Sequence, residues 1–187
     1  VGTGSMSDPY GPIEGEYRLT RRALEVIAEQ RFPVHVLTKS DLVVRDADLL
    51  ADIARLYAAV SFTITTADDD LSRKVEPGAP PSSRRFAAMR SLAKVGIYTG
   101  VTLMPVLPYI EDDDGNVAAI VKSAYDCGAR YIMAAFGMTM RDGQRAYYYA
   151  CLDHLFPGLR ARYERRFGER YECSSERAPR LEEIFRD

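Results

Sequence analysis

The chain has 187 residues, 47% of them apolar and 28% charged, and its 25 basic and 27 acidic side chains leave a formal net charge of −2. These proportions build a sizeable core and exclude a disordered or collagen-like chain, and so small a net charge gives no global pull towards nucleic acid or acidic lipid. No apolar run approaches the roughly 18 residues a bilayer span needs and no signal peptide opens the sequence, so the expected location is the cytoplasm.

Five short apolar segments lack the polar alternation of half-exposed strands, which suits parallel strands covered on both faces. The first, residues 1–6, runs into a polar loop ending at Glu14. Residues 19–32 then carry Leu19, Ala23, Val26 and Ile27 at helical spacing. The second strand, 33–39, ends on Thr38 and Lys39. It leads to a helix over 46–57 with Leu49, Leu50, Ile53 and Leu56 on one face and Asp46 as its N-cap. The third strand, 58–65, ends in a row of hydroxyls that includes Thr63 and Thr65. Asp68, Asp69 and Asp70 follow as a helix start favoured by the dipole.

Glu76 precedes Pro77, which pushes it into an extended conformation and either aims its carboxylate at the strand ends or marks a turn. A helix over 82–95, with Ser82 or Ser83 as its cap, stops at Gly96. The fourth strand, 98–107, contains Pro105, which forfeits a ladder donor and marks a strand end or an irregularity. Asp112 to Gly115 lack the spacing of a calcium loop and are expected to form a solvated turn. A helix over 117–125 ends near Gly128, and the fifth strand spans 130–136. Helices are expected over 144–156 and 158–166, with a short amphipathic piece at 179–185. The β-α rhythm predicts a parallel α/β architecture. Because the sequence opens in mid-strand, a preceding β-α unit is expected before Val1.

In such folds the site lies at the C-terminal strand ends, so Lys39 reads either as a side chain reaching water or as an anion ligand. The threonines of the third strand are rim hydroxyls or plain strand formers. Cys127, Cys151 and Cys173 are too far apart for a CxxC motif, and with only His35 and His154 a His-rich metal site is excluded. Cys127 and Cys151 read as buried helix residues, and Tyr147, Tyr148 and Tyr149 as helix packing. Leu159, Tyr163, Phe167 and Tyr171 are four apart, a core-facing stripe with arginines on its wet side.

Four stretches, SMSDPYGPIE-x4-LTRRALE, VLTKSDL, SFTITTADDDLSRKVEPGAPPSSRRFAAMRSLAKVGI and VTLMPVLP, occur in this order over residues 1–110. Together they resemble the spore photoproduct lyase-related, DNA repair photolyase-like branch of the radical SAM superfamily. The resemblance implies a partial (β/α)6 barrel of about five parallel strands over residues 1–140, without its first β-α unit, and a helical extension packed on it over 141–187. It implies S-adenosylmethionine bound to a 4Fe–4S cluster, reductive cleavage, and hydrogen-atom abstraction from a substrate that the sequence leaves open, nucleic acid included. Ser7 and Asp8 would then lie in the loop facing S-adenosylmethionine. Lys39 would pair with its carboxylate, Thr63 would contact the same group, and Met104 and Pro105 would flank the nucleoside.

Ser5 stands at the catalytic position where the lyase has a hydrogen-donating cysteine, and a serine O–H bond is too strong for that task. The cluster-binding CxxxCxxC motif is absent from these 187 residues. The sequence therefore also fits a non-catalytic barrel that binds a nucleotide-like ligand or a partner. A further alternative is an unrelated β-α enzyme holding an anionic substrate with Lys39 and Arg84 or Arg85.

Overall fold

The computed structural model of the protein describes residues 1–4 and 6–186. Each of the five apolar segments forms a strand: β1 (Gly2–Thr3), β2 (Val34–Thr38), β3 (Ala58–Thr63), β4 (Tyr98–Leu103) and β5 (Tyr131–Ala134). They pair in sequence order, all parallel. Right-handed crossovers between sequential strands place the connecting helices on one face of the sheet. That face carries Val34, Val36, Val60, Phe62, Val101 and Leu103.

The crossovers are α1 (Glu14–Tyr17) with α2 (Leu19–Glu29), a 3₁₀ turn over Asp41–Asp46 with α3 (Ala47–Ile53), α4 (Asp69–Val75) with α5 (Ser82–Lys94), and α6 (Asp114–Asp126). Their apolar positions, among them Leu24, Ile27, Leu50, Met89, Leu92 and Ile120, join the strand residues in one core. Gly96 and Gly128 follow α5 and α6 with φ of +84° and +86°, the left-handed geometry that closes a helix.

On the opposite face the register aligns Leu37, Ser61, Gly100 and Tyr131 in one row, and Thr63, Thr102 and Met133 in the next towards the strand ends. Tyr131 lies across Gly100, where a Cβ would stand 2.4 Å from its ring, so only glycine fits there. Ser61 Oγ is 2.7 Å from both His35 Nε2 and Tyr131 OH, and Tyr131 stacks on Tyr98 with ring centres 5.3 Å apart. This polar and aromatic row forms a floor beneath the threonines. Burial lowers the pKa of His35, favouring the neutral ring in that network.

Beyond β5, β6 (Gly137–Thr139) pairs antiparallel with β7 (Glu172–Ser174), a ribbon the sequence pattern did not predict because each strand is only three residues long. Between them, α7 (Asp142–Leu155) and α8 (Leu159–Phe167) pack around Met140, Tyr149, Leu152, Tyr163, Phe167 and Cys173, a second small core. The last helix, α9 (Ala178–Arg186), returns to the main core through Leu181, Ile184 and Phe185. Tyr163 and Phe167 of the expected stripe are buried, whereas Tyr171 is exposed because the helix has already ended at Phe167. Of the tyrosine triplet, Tyr149 is buried and Tyr147 is exposed.

Four local expectations are corrected. Asp46 stands at the N-cap position of α3 as expected, but its side chain makes no capping bond, because its carboxylate is taken by Arg21, Arg45 and Tyr10. Neither Ser82 nor Ser83 caps α5: Pro81 holds the cap position, Ser82 is buried, and Ser83 bonds to Asp69. The strand over 98–107 stops at Leu103, short of Pro105. The run from Asp112 to Gly115 is not a solvated turn: Asp112 is buried against Ser175 and the Tyr109 amide, and Asp113 caps α6. The Asp68 cap on α4 forms as expected.

Candidate functional site

Parallel strands deliver their C-terminal ends to one rim, and here the rim is knitted together by a carboxylate from the loop after β1. Asp8 Oδ1 accepts from Thr38 Oγ1 at 2.6 Å and from the Tyr10 amide at 2.9 Å, while Oδ2 accepts from the Lys39 amide at 2.7 Å. The loop is thereby fixed against the end of β2. A cleft of about 210 Å3 opens between them, lined by Ser7, Asp8, Lys39 and Thr63 together with Gly4, Met6 and Leu37. Met104 and Pro105, joined by a cis peptide bond, line a separate cleft of about 480 Å3 walled by Phe136, Met138 and Glu172. Thr102 lies beside Thr63 in the register, and its buried hydroxyl has no hydrogen-bond partner among the described residues. Ser5, the expected catalytic position, lies outside the described residues.

Lys39, the cation lining the smaller cleft, is itself paired. Lys39 Nζ is 2.6 Å from Glu76 Oε1, and Glu76 Oε2 is 2.7 Å from Arg85 Nη2, a close ion pair that is not aligned as a hydrogen bond. Arg85 is 1% exposed and donates to the carbonyls of Thr63 at 2.8 Å and Pro80 at 2.7 Å. Thr63, the last residue of β3, and Lys39, one residue past β2, are therefore joined through Arg85 and Glu76. Glu76 ends α4, so it serves both as the turn and as the rim carboxylate that its place before Pro77 suggests.

No family model matches the chain. An uncharacterised protein of Mycobacterium tuberculosis is 29% identical over 164 residues, 87% of this chain and 48% of that protein. A radical SAM Nα-GlyT isomerase of Pseudomonas phage M6 is 31% identical over 110 residues, 59% of this chain and 22% of that protein. Among solved structures, a variant of spore photoproduct lyase superposes with a TM-score of 0.65 at 17% identity, covering 99% of this chain and 56% of that one. The fold is that of a partial radical SAM barrel. The chain spans about half the length of the mycobacterial relative.

In a radical SAM barrel a 4Fe–4S cluster needs thiolates brought together. Cys127 is buried at the end of α6, Cys151 lies within α7, and Cys173 is buried on β7. Among the described residues no three His, Cys, Asp or Glu side chains gather as a metal would require. The cluster therefore does not fit these residues. The smaller cleft instead presents the Lys39 ammonium, the Asp8 carboxylate and the hydroxyls of Ser7 and Thr63. The arginines proposed for a generic anion site are already engaged, Arg84 with Asp41 at 2.5 Å and Arg85 in the barrel wall.

Sequence reasoning missed Glu111, which is 1% exposed and accepts from Thr65 Oγ1 at 2.7 Å and the Leu107 amide at 2.9 Å. Its place after Pro108 was the available signal, but only the fold shows that this loop turns back under the rim. Burial pushes the Glu111 carboxyl up, Glu76 adds to the rise, and the two hydrogen bonds oppose it, leaving the group at about 7. A raised carboxyl favours the fold when protonated: its stabilisation is complete below the ordinary value of 4.5 and is lost as pH rises through about 7. Glu111→Gln, neutral throughout, should therefore gain up to about 3 kcal/mol on the wild type between pH 5 and 8. Urea unfolding at both pH values checks this; a difference that does not change with pH would remove Glu111 as a titrating group.

Proposed function

We propose that this chain is the S-adenosylmethionine-binding portion of a radical SAM enzyme of the spore photoproduct lyase-like group. The observation that carries the reading is the convergence of Ser7, Asp8, Lys39 and Thr63 on one cleft at the C-terminal strand ends of this barrel. Lys39 receives the methionine carboxylate as a charge-assisted contact, with the Thr63 hydroxyl beside it. Among the described residues Asp8 Oδ2 accepts from the Lys39 amide alone and so keeps a lone pair for the ligand's ammonium, with Ser7 exposed next to it. Met104 and Pro105 offer an apolar surface for the nucleoside in the separate, larger cleft.

In the whole enzyme a 4Fe–4S cluster would supply the electron for reductive cleavage, and no residue of this chain is assigned to holding it. The phage relative is named as an Nα-GlyT isomerase and the structural neighbour as a photoproduct lyase, and neither chemistry is transferred to this chain. A second reading, a non-catalytic barrel that binds a nucleotide-like ligand or a partner, draws its support from the scattered cysteines.

Calorimetric titration with S-adenosylhomocysteine tests the binding reading. Lys39→Ala should weaken that ligand by about 1.5–3 kcal/mol, the range for a hydrogen bond to a charged group. Unchanged affinity would remove Lys39 from the site. Anaerobic iron–sulfur reconstitution of the full gene product then separates the two readings, because four irons per chain with cleavage of S-adenosylmethionine on reduction excludes the non-catalytic one.

A further inference from the structure

Resting on that reading, we infer that Glu76 is a positioning residue for the ligand's carboxylate: it holds the Lys39 ammonium in place at the mouth of the cleft, using buried Arg85 as its anchor. A free lysine side chain has four rotatable carbons, and ordering it on a ligand costs conformational entropy that a pre-formed contact removes in advance. Glu76 provides such a contact. Its Oε1 sits 2.6 Å from Lys39 Nζ, and only 18% of its own side chain is exposed. The carboxylate cannot swing away with the lysine, because its other oxygen faces Arg85, whose guanidinium is fixed to the Thr63 and Pro80 carbonyls.

Charge and donor counts agree with this role. Arg85 offsets Glu76, so the lysine keeps its net positive charge for an incoming anion. An ammonium has three donors, and the Lys39 side chain, paired with Glu76 on one side, is still 39% exposed to an incoming anion. The main chain of Lys39 is pinned independently by Asp8. Both ends of the residue are therefore set before a ligand arrives, and because Arg85 bonds the Thr63 carbonyl, the lysine and the neighbouring rim hydroxyl share one support.

The test separates positioning from simple structural support by comparing two ligands on the same protein. S-adenosylhomocysteine has the amino-acid carboxylate, and 5′-methylthioadenosine lacks it. Glu76→Gln should lower affinity for the first about tenfold and leave the second unchanged. Glu76→Asp, which keeps the charge opposite Arg85 but draws back from Lys39, should show the same selectivity and guards against a Gln variant that fails to fold. In a Lys39→Ala background neither change should have any further effect, since there is no ammonium left to place.

Equal losses for both ligands, or losses that add to Lys39→Ala, would reduce Glu76 to a structural residue. Tighter binding of S-adenosylhomocysteine would make it a competitor for Lys39 and likewise overturn the inference. If the wild type binds neither ligand, the S-adenosylmethionine reading fails and the inference falls with it. If the wild type binds both and the Glu76 variants match it, only the inference fails.

Discussion

Replacing Arg85 by methionine should cost about 3–5 kcal/mol of folding stability, the penalty for breaking a buried pair and stranding its partner. Methionine fills much of the space of the arginine stem, so the cavity contribution stays small and the polar loss dominates. That loss has three parts. The Thr63 carbonyl at the end of β3 and the Pro80 carbonyl lose their guanidinium donors, and Glu76 keeps only Lys39. For a chain of this size the melting temperature should fall by about 6–20 °C. Arg85→Lys keeps a charge but not a planar fork able to reach both carbonyls, so it should recover only part of the loss. A change below about 1 kcal/mol for Arg85→Met would show that water satisfies these groups and that the arginine does not anchor the rim.

How Arg85 reached that role also shows what could be read from the chain. Val34, Val36, Val60, Phe62, Val101 and Leu103 are buried by helices on one side, and their apolar runs signalled parallel strands without reference to anything distant. The rim residues Lys39 and Thr63 were legible for the same reason: a strand end is a local feature, and parallel topology sends every such end to one side. Arg85 was not legible. Its neighbour Arg84 has the same local sequence yet is 63% exposed in its pair with Asp41, and only the rotation of α5 decides which of the two enters the wall. Glu111 and the ribbon of β6 and β7 share that difficulty, since they depend on a loop turning back and on residues far apart in sequence coming together. Asp46 shows the opposite error, where a good local cap residue was claimed by stronger long-range partners.

Those partners make Asp46 the second site of large effect. Its side chain has no exposure, and four donors surround it: Arg21 Nη1 at 2.9 Å, Arg45 Nε at 2.9 Å and Nη2 at 2.7 Å, and Tyr10 OH at 3.1 Å. Arg45 also holds Glu14, which is 3% exposed and accepts the Thr20 amide at 2.9 Å. The network thus ties the loop carrying Ser7 and Asp8, through Tyr10 and Glu14, to α2 and to the start of α3. Asp46→Ala should cost about 3–5 kcal/mol, because the buried Tyr10 hydroxyl and one face of Arg45 lose their acceptor.

The pH dependence has a definite sign. Burial pushes the Asp46 and Glu14 carboxyls up, but their hydrogen bonds outweigh it, those from Arg45, Arg21 and Tyr10 at Asp46 and those from the Thr20 amide and Arg45 at Glu14. Both groups end below their ordinary values of 3.8 and 4.5. Their stabilisation is complete above those values and is lost as pH falls through the lower folded ones. Glu111 works in the other direction, losing its stabilisation as pH rises through about 7. Wild-type stability should therefore peak near pH 4.5, below the usual optimum, and decline from there towards pH 7. Asp46→Ala should flatten the acid side of that curve and leave the alkaline side unchanged, and Glu111→Gln should do the reverse. A single set of urea titrations from pH 3 to 8 on the three proteins decides this. If Asp46→Ala left the acid limb as steep as in the wild type, the loop would not be anchored through its carboxylate.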